Sequence, residues 1–323
     1  MHEQSIHQLK GFTHVQGLHC SSTCIADIAR FDDCEISEAM AFGLAEGLGF
    51  VYYKDDKLSP TARINGRCSN FEEKFYQRIG SPIAWQPSLI KESIQQNRPV
   101  LAKTALTELP YYEPADFFGH GILVVGLDEN TQHVSIAESF SAELQNIPTG
   151  QFKKATAINC QPFMSSYSYT SAPIMQFEVT EGMLRDAIKS AMNYMLSDSQ
   201  PLEGFIAMEK AIADIPTWHK YDDWQWHARF AYQSLEKRGT GGGNFRFIYA
   251  DFLNEASAYL PEITTLSLEK GFRHCAEQWQ ALASIFKDTF IQEDPNKFEY
   301  AAKQLNHIKQ LETELCTTAL KHL

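Results

Sequence analysis

Two residues able to form a nucleophile and base pair stand far apart in this chain, Cys20 in GLHCSSTC and His120 in FFGHGILVVGL. The thiolate is the reactive form of cysteine, and a helix amino terminus favours it through unpaired N–H groups and the helix dipole. Ser and Thr at the entry of CSSTCIADIARFD, followed by apolar residues at helical spacing, predict a helix from about Ser21. Cys20 would then sit at its mouth. His120 lies between Gly119 and Gly121 at the head of the apolar strand ILVVGL, where glycines leave room for a base to approach a nucleophile. Glu138, in VSIAES on the next strand, would hold the imidazole tautomer through the second ring nitrogen. An oxyanion hole would combine the Cys20 backbone N–H with an upstream side chain, Gln16 or His14. His19 is expected to point away from the thiol and to be structural or substrate-facing. Taken singly, each of these residues is more often a buried inert thiol, a satisfied ring or a surface carboxylate.

The elements that must position them read as two halves. In the first, helical and strand signals alternate. SEAMAFGLAEGLG is a helix capped by Ser37, FVYYK a strand, SLIKESIQQNRP a helix ended by Pro99 and VLAKTAL a strand. Two further strands are joined by a polar turn at Asp128 to Gln132, and a Ser/Tyr-rich passage with Pro173 forms a last strand and linker. From TEGMLRDAIKSAMNYMLS onward, six segments carry apolar stripes at helical spacing. The expectation is an α+β amino-terminal domain over residues 1–165 and an all-helical domain over 166–323.

Composition excludes several classes. Lys and Arg number 28 against 40 Asp and Glu, a net charge of −12 that argues against nucleic acid as the main partner. No stretch is apolar enough to span a bilayer, and MHEQSIHQLKGF lacks a signal peptide's basic start and apolar run, so a cytoplasmic protein is expected. Seven scattered cysteines give no disulfide framework, and Cys20 with Cys24 has no second pair to complete a zinc site. No metal or other cofactor is expected.

GLHCSSTCIADIARF, ISEAMAFGLAEGLGFVYY, NRPVLAKTAL and FFGHGILVVGLDENTQHVSIAES together resemble the amino-terminal domain of the butirosin biosynthesis protein H family. LEKRGTGGGNFRFIYADFLNEA looks like the helical domain that often follows it. The resemblance implies a papain-like cysteine-peptidase-type fold, with the nucleophile at Cys20 and the base at His120, in the papain-like order of Cys, His and orienting residue. The orienting position is usually Asp in that family and is Glu138 here, with Ser139 or Asp128 as alternatives. The name-giving member moves an aminoacyl group from an acyl carrier protein thioester onto an aminoglycoside amine. By resemblance this chain is a cysteine-dependent acyltransferase of antibiotic or other secondary metabolism. Its donor would be an acyl carrier protein or coenzyme A-like thioester, and its acceptor a small amine or other nucleophile. A phosphopantetheine arm would then be part of the donor. A thioesterase or peptidase of the same fold, and a binding protein without catalysis, are the competing readings.

GTGGGNFR, residues 239–246, lacks the lysine and preceding strand of a phosphate loop. It reads either as a helix–helix turn, with Gly239 ending one helix and Asn244 capping the next, or as a loop serving the cleft. In the second case Gly242 would give close approach, and Arg246 or Arg238 a charge. Trp218, Trp224 and Trp226 read as helical core. The helical half could cover the cleft, form a dimer surface or dock the acceptor, and Lys153 with Lys154, or Lys237 with Arg238, are the basic pairs an acidic carrier would need.

Overall fold

The computed structural model describes residues 6–87, 89–113, 116–161 and 163–323. The start expected at Ser88 for the SLIKESIQQNRP helix lies outside the described residues. The chain is α+β and forms two compact units that interleave in sequence. The first comprises Met1–Ala41 and Tyr76–Phe177, the second Phe42–Phe75 and Glu178–Leu323.

In chain order, strand β1 (Ile6–Gln8) and helix α1 (Cys20–Phe31) are followed by α2 (Glu38–Leu44), which enters the second unit. There β2 (Leu48–Lys54) and β3 (Ala62–Arg67) form a hairpin, and α3 (Phe71–Arg78) leads back. The first unit is completed by α4 (Ile90–Gln95), β4 (Val100–Ala105), β5 (Phe118–Asp128), β6 (His133–Ala137), β7 (Gln145–Pro148), α5 (Thr149–Ala157) and β8 (Tyr169–Ser171). The second resumes with α6 (Glu181–Leu196), α7 (Gly204–Asp214), α8 (Trp224–Glu236), α9 (Arg246–Ala256), α10 (Glu262–Thr265), α11 (Leu268–Ile291) and α12 (Lys297–His322).

The first unit is an antiparallel sheet in the order β7-β6-β5-β4-β8, with β1 pairing the end of β5. Ile122, Leu123, Val124 and Val125 are all fully buried, so β5 is covered on both faces, as its unbroken apolar run requires. Helix α1 packs against β5 and is buried from Cys20 through Ala29. The polar turn after β5 is built by Asp128, whose Oδ1 accepts the N–H groups of Asn130 and Thr131 at 2.9 and 3.1 Å. Ser37 caps α2, accepting the Met40 N–H at 2.9 Å.

The second unit is a helical assembly on the β2–β3 hairpin. Phe50 of β2 stacks on Trp279 of α11 at 5.9 Å, and the Tyr52 N–H donates to the Leu202 carbonyl at 3.0 Å. Trp218 is fully buried and packs on Phe286 and Phe298, a core role. All six helices expected from periodicity are present, whereas the strand ARINGR, only weakly alternating, had no clear signal.

Candidate active site

Helix α1 begins at Cys20, one residue earlier than the sequence suggests, so the nucleophile candidate occupies the first helical position. The residue before it forms the cap: the Nδ1 of His19 accepts the Ser22 N–H at 3.3 Å and lies 3.0 Å from Ser22 Oγ. The loop leading into the helix is clamped by Glu38. Its carboxylate accepts the N–H groups of Leu18 and His19, the nearest at 2.8 Å, and the hydroxyls of Ser22 and Thr23 at 3.0 Å. That clamp explains the polar run SST after Cys20. It also requires Gly17, where a Cβ would lie 2.1 Å from Thr23 Oγ1 and 2.8 Å from Glu38 Oε2.

The partners come from the sheet. Leu123 stands opposite Ala137, so His120 and Glu138, an odd number of residues from each, share the other face. There His120 Nε2 lies 2.9 Å from both oxygens of Glu138. All three side chains are buried, at 9% exposure for Cys20, 6% for His120 and 1% for Glu138. Strand β5 reaches this geometry through Gly119, whose φ of +76° is open to glycine and whose missing Cβ would sit 2.6 Å from the Phe163 carbonyl. Thr104 Oγ1 donates to the His120 carbonyl at 3.1 Å and fixes the strand at that point.

The electrostatics follow from these contacts. Burial would raise the thiol pKa of Cys20, but the imidazoles of His19 and His120 outweigh it and hold the thiol well below its ordinary value. Burial likewise opposes charge on His120, yet Glu138 and the Cys20 thiolate push its pKa up to about 10. Nε2 is engaged by Glu138, and the ring also interacts with the Cys20 thiol. The lowered thiol and the raised imidazole therefore favour the thiolate–imidazolium pair at neutral pH.

Two tyrosines complete the surroundings. Tyr111 donates to Glu138 Oε2 at 3.4 Å, and Tyr112 meets the His120 ring edge-on at 5.6 Å. Burial first, then the Glu138 charge, raises both phenol pKa values, so both remain donors. Sequence reasoning missed them, and it missed Glu38. The dipeptide YY after a proline resembles ordinary core or loop aromatics, and Glu38 reads as a first-turn acid of α2.

The other sequence candidates fall out as follows. His14 is fully occupied: Nδ1 lies 2.5 Å from Asp27 Oδ2, and Nε2 faces the carbonyls of Glu138 at 3.1 Å and Ser141 at 2.8 Å. It ties α1 to the exit of β6 and has no N–H left for an oxyanion. Burial opposes its charge, but Asp27 raises its pKa above the ordinary value. Gln16 is exposed and donates one amide hydrogen to the Phe140 carbonyl at 2.6 Å, which leaves the other free to point elsewhere. His19 does not turn away from the thiol as expected, since its ring acts directly on Cys20. Of the alternatives to Glu138, Ser139 donates to Glu138 Oε1 at 3.4 Å, and Asp128 belongs to the β5–β6 turn.

Within the second unit the glycine loop is a structural turn. Helix α8 ends at Glu236, and Gly239, Gly241, Gly242 and Gly243 all have positive φ. Asn244 does not cap α9: it is left-handed itself, and its amide fills the space against Gly66. Gly242 donates its N–H to Thr240 Oγ1 at 3.1 Å. Arg246 cannot offer its charge to a ligand. It is fully buried, pairs with Glu312 through two bonds at 2.7 and 2.8 Å, and donates to the Gly66 carbonyl at 2.6 Å. Arg238 donates to Gln233 Oε1 and lies over the Phe230 ring. Lys153 and Lys154 are exposed on α5. Among the described residues, no group of three or more His, Cys, Asp or Glu side chains is disposed to hold a metal ion, and no helix is long and apolar enough to cross a membrane.

Residues 19–139, which contain the Cys20, His120 and Glu138 group, match the family described as butirosin biosynthesis protein H, N-terminal. Residues 152–319, just over half of the chain, match the family described as domain of unknown function (DUF4872). The chain belongs to the DUF4872 family and carries a butirosin biosynthesis protein H amino-terminal region. No curated protein matches it. Apart from Gly17 and Leu18, the residues quoted for the resemblance fall within the two matched regions, and the stretch between the matches carries β7 and the start of α5.

Proposed function

We propose that the protein is a cysteine-dependent acyltransferase whose first unit has a papain-like arrangement. The observation that carries this is the buried group in which Cys20 heads a helix while His120, held by both oxygens of Glu138 at 2.9 Å, stands on the facing sheet. A helix presenting the thiol against an antiparallel sheet presenting base and orienting residue is the layout such chemistry uses.

In the reaction, Cys20 Sγ attacks the carbonyl carbon of a thioester donor. The donor's C–S bond breaks, its thiol leaves with the proton held on His120 Nδ1, and an acyl-Cys20 thioester remains. An amine acceptor then attacks the same carbon, gives its proton to Nδ1, and releases the Cys20 thiolate. The oxyanion is supported by the Cys20 N–H at the helix terminus and by the second amide hydrogen of Gln16. Glu138 keeps the imidazole in the right tautomer throughout. Exchange between thioesters is nearly balanced, and because a thiolate is a weakly basic leaving group its departure makes few demands on His120 as a general acid. The donor is a carrier-bound or coenzyme A-like thioester and the acceptor a small nucleophile. Lys153 and Lys154 are the exposed basic pair suited to an acidic carrier.

The test follows iodoacetamide labelling of Cys20 by peptide mass spectrometry from about pH 5 to 9 in the wild type and in His120→Ala. An activated thiol labels well near pH 6, an ordinary one with a pKa of about 8.5 does not. Slow labelling with an ordinary profile in both proteins would sink the proposal. With a labelled site in hand, amide product on addition of amines separates transfer from hydrolysis, which yields free acid alone.

A further inference from the structure

We infer that the acyl group carried by Cys20 is not anionic and lays an apolar part, aliphatic or aromatic, on a wall formed by Val15, Leu18, Tyr111, Tyr112 and Phe140. This rests on the acyl-transfer reading above. Val15, Leu18 and Phe140 are large apolar side chains left 51%, 49% and 42% exposed. One such side chain alone would mean little, but these three stand on neighbouring segments. The Gly17 N–H donates to the Ser139 carbonyl at 3.1 Å, Gln16 donates to the Phe140 carbonyl, and His14 faces the Glu138 carbonyl, so residues 14–17 run beside 138–140. The rings of Tyr111 and Tyr112 each lie 5.2 Å from that of Phe140, and Tyr112 continues to His120. Apolar surface is therefore continuous from the base of the reacting group out to solvent.

Charge narrows the occupant. No Lys or Arg occurs between Lys10 and Arg30, or between Lys103 and Lys153, the stretches that supply Cys20, His120, Glu138 and the whole wall. Arg30 itself is held by Asp27 at 2.6 Å. Glu113 and Glu143 are exposed on the same stretches. An anionic acyl group would find no Lys or Arg on these stretches, whereas an apolar part releases water from the three exposed side chains.

The experiment uses the full chain and N-acetylcysteamine thioesters of acetate, octanoate, phenylacetate and the half-acid of glutarate, reading Cys20 acylation over time by intact mass. Octanoyl and phenylacetyl donors should acylate at least roughly tenfold faster than acetyl and glutaryl donors. In Phe140→Ser and Leu18→Ser the octanoyl-to-acetyl ratio should fall toward unity, and being a ratio within one protein it is insensitive to the fraction folded. Equal rates for all donors, or preference for the glutaryl donor, would overturn the apolar assignment while leaving acyl transfer standing. Acylation by none of them, with iodoacetamide still labelling Cys20 rapidly, would overturn both.

Discussion

Replacing Glu138 by Gln removes one buried negative charge and keeps the shape of the side chain. In the native protein that charge lies against His120 Nε2, with both oxygens at 2.9 Å, and helps to hold the imidazolium to about pH 10. Two unit charges with centres about 4 Å apart interact by about 4 kcal/mol at an effective dielectric constant of 20, close to a thousandfold in the protonation equilibrium. The amide oxygen recovers part of that, so the His120 midpoint should drop from about 10 to roughly 7–8. Ring resonances assigned by comparison with His120→Ala would report it by NMR titration. Because Glu138 is closer to His120 than to Cys20, the thiolate–imidazolium form should lose more than the neutral pair, and labelling of Cys20 near pH 6 should fall about tenfold or more. A midpoint that stays near 10 in Glu138→Gln would refute the claim that this carboxylate holds the charge on His120.

Other perturbations have equally definite outcomes. His14→Ala should cost about 1–3 kcal/mol, because Asp27 Oδ2 and the carbonyls of Glu138 and Ser141 lose this partner although Arg30 and the Val15 N–H still hold Asp27 Oδ1. Because the native pKa of His14 is raised, its contribution is complete below the ordinary imidazole value and is lost as pH rises through the native one, so the melting difference should be larger near pH 6 than near pH 9. Gly17→Ala forces a Cβ against Thr23 Oγ1 and Glu38 Oε2 and should destabilise by about 1–3 kcal/mol while slowing Cys20 labelling, seen by denaturant unfolding and mass spectrometry. Glu312→Gln leaves the buried Arg246 guanidinium without its counter-charge at a cost of about 3–5 kcal/mol, and the double replacement Arg246→Met with Glu312→Leu should recover most of the lost melting temperature.

Cys20 and His120 were legible because each sits where the local pattern is strong, a helix entry and the head of an unbroken apolar strand. Glu138 followed from strand order alone. The brace made by His14 was not legible, since its partners Asp27, Glu138 and Ser141 are close only after the sheet has formed. Read from one sequence, a histidine on such a loop looks available for catalysis. Arg246 misled for a related reason: glycines beside an arginine suggest an anion site, but the acid that satisfies this arginine lies on α12. Periodicity served the long helices well, because each buries one stripe, and FVYYK was legible as β2, but its partner β3 was not, because ARINGR alternates only weakly. The membership of Phe42–Phe75 in the second unit is a long-range packing fact with no local pattern to announce it.

That interleaving has a consequence for synthesis on the ribosome. The hairpin of β2 and β3 is made early, but the helices that bury Phe50 against Trp279 are made last. Through most of translation the nascent chain therefore carries an unsupported two-stranded ribbon, a structure that is marginal in water by itself and offers two open edges. Strand β4 to β8 can pair and cover α1 meanwhile, since everything they need has already emerged. The order of maturation should thus place the reacting group before the helical unit, with the ribbon as the segment most exposed to chaperones and to misassociation. Neither unit can be obtained by cutting the chain once, so a fragment ending near residue 165 would retain the ribbon and lack its cover.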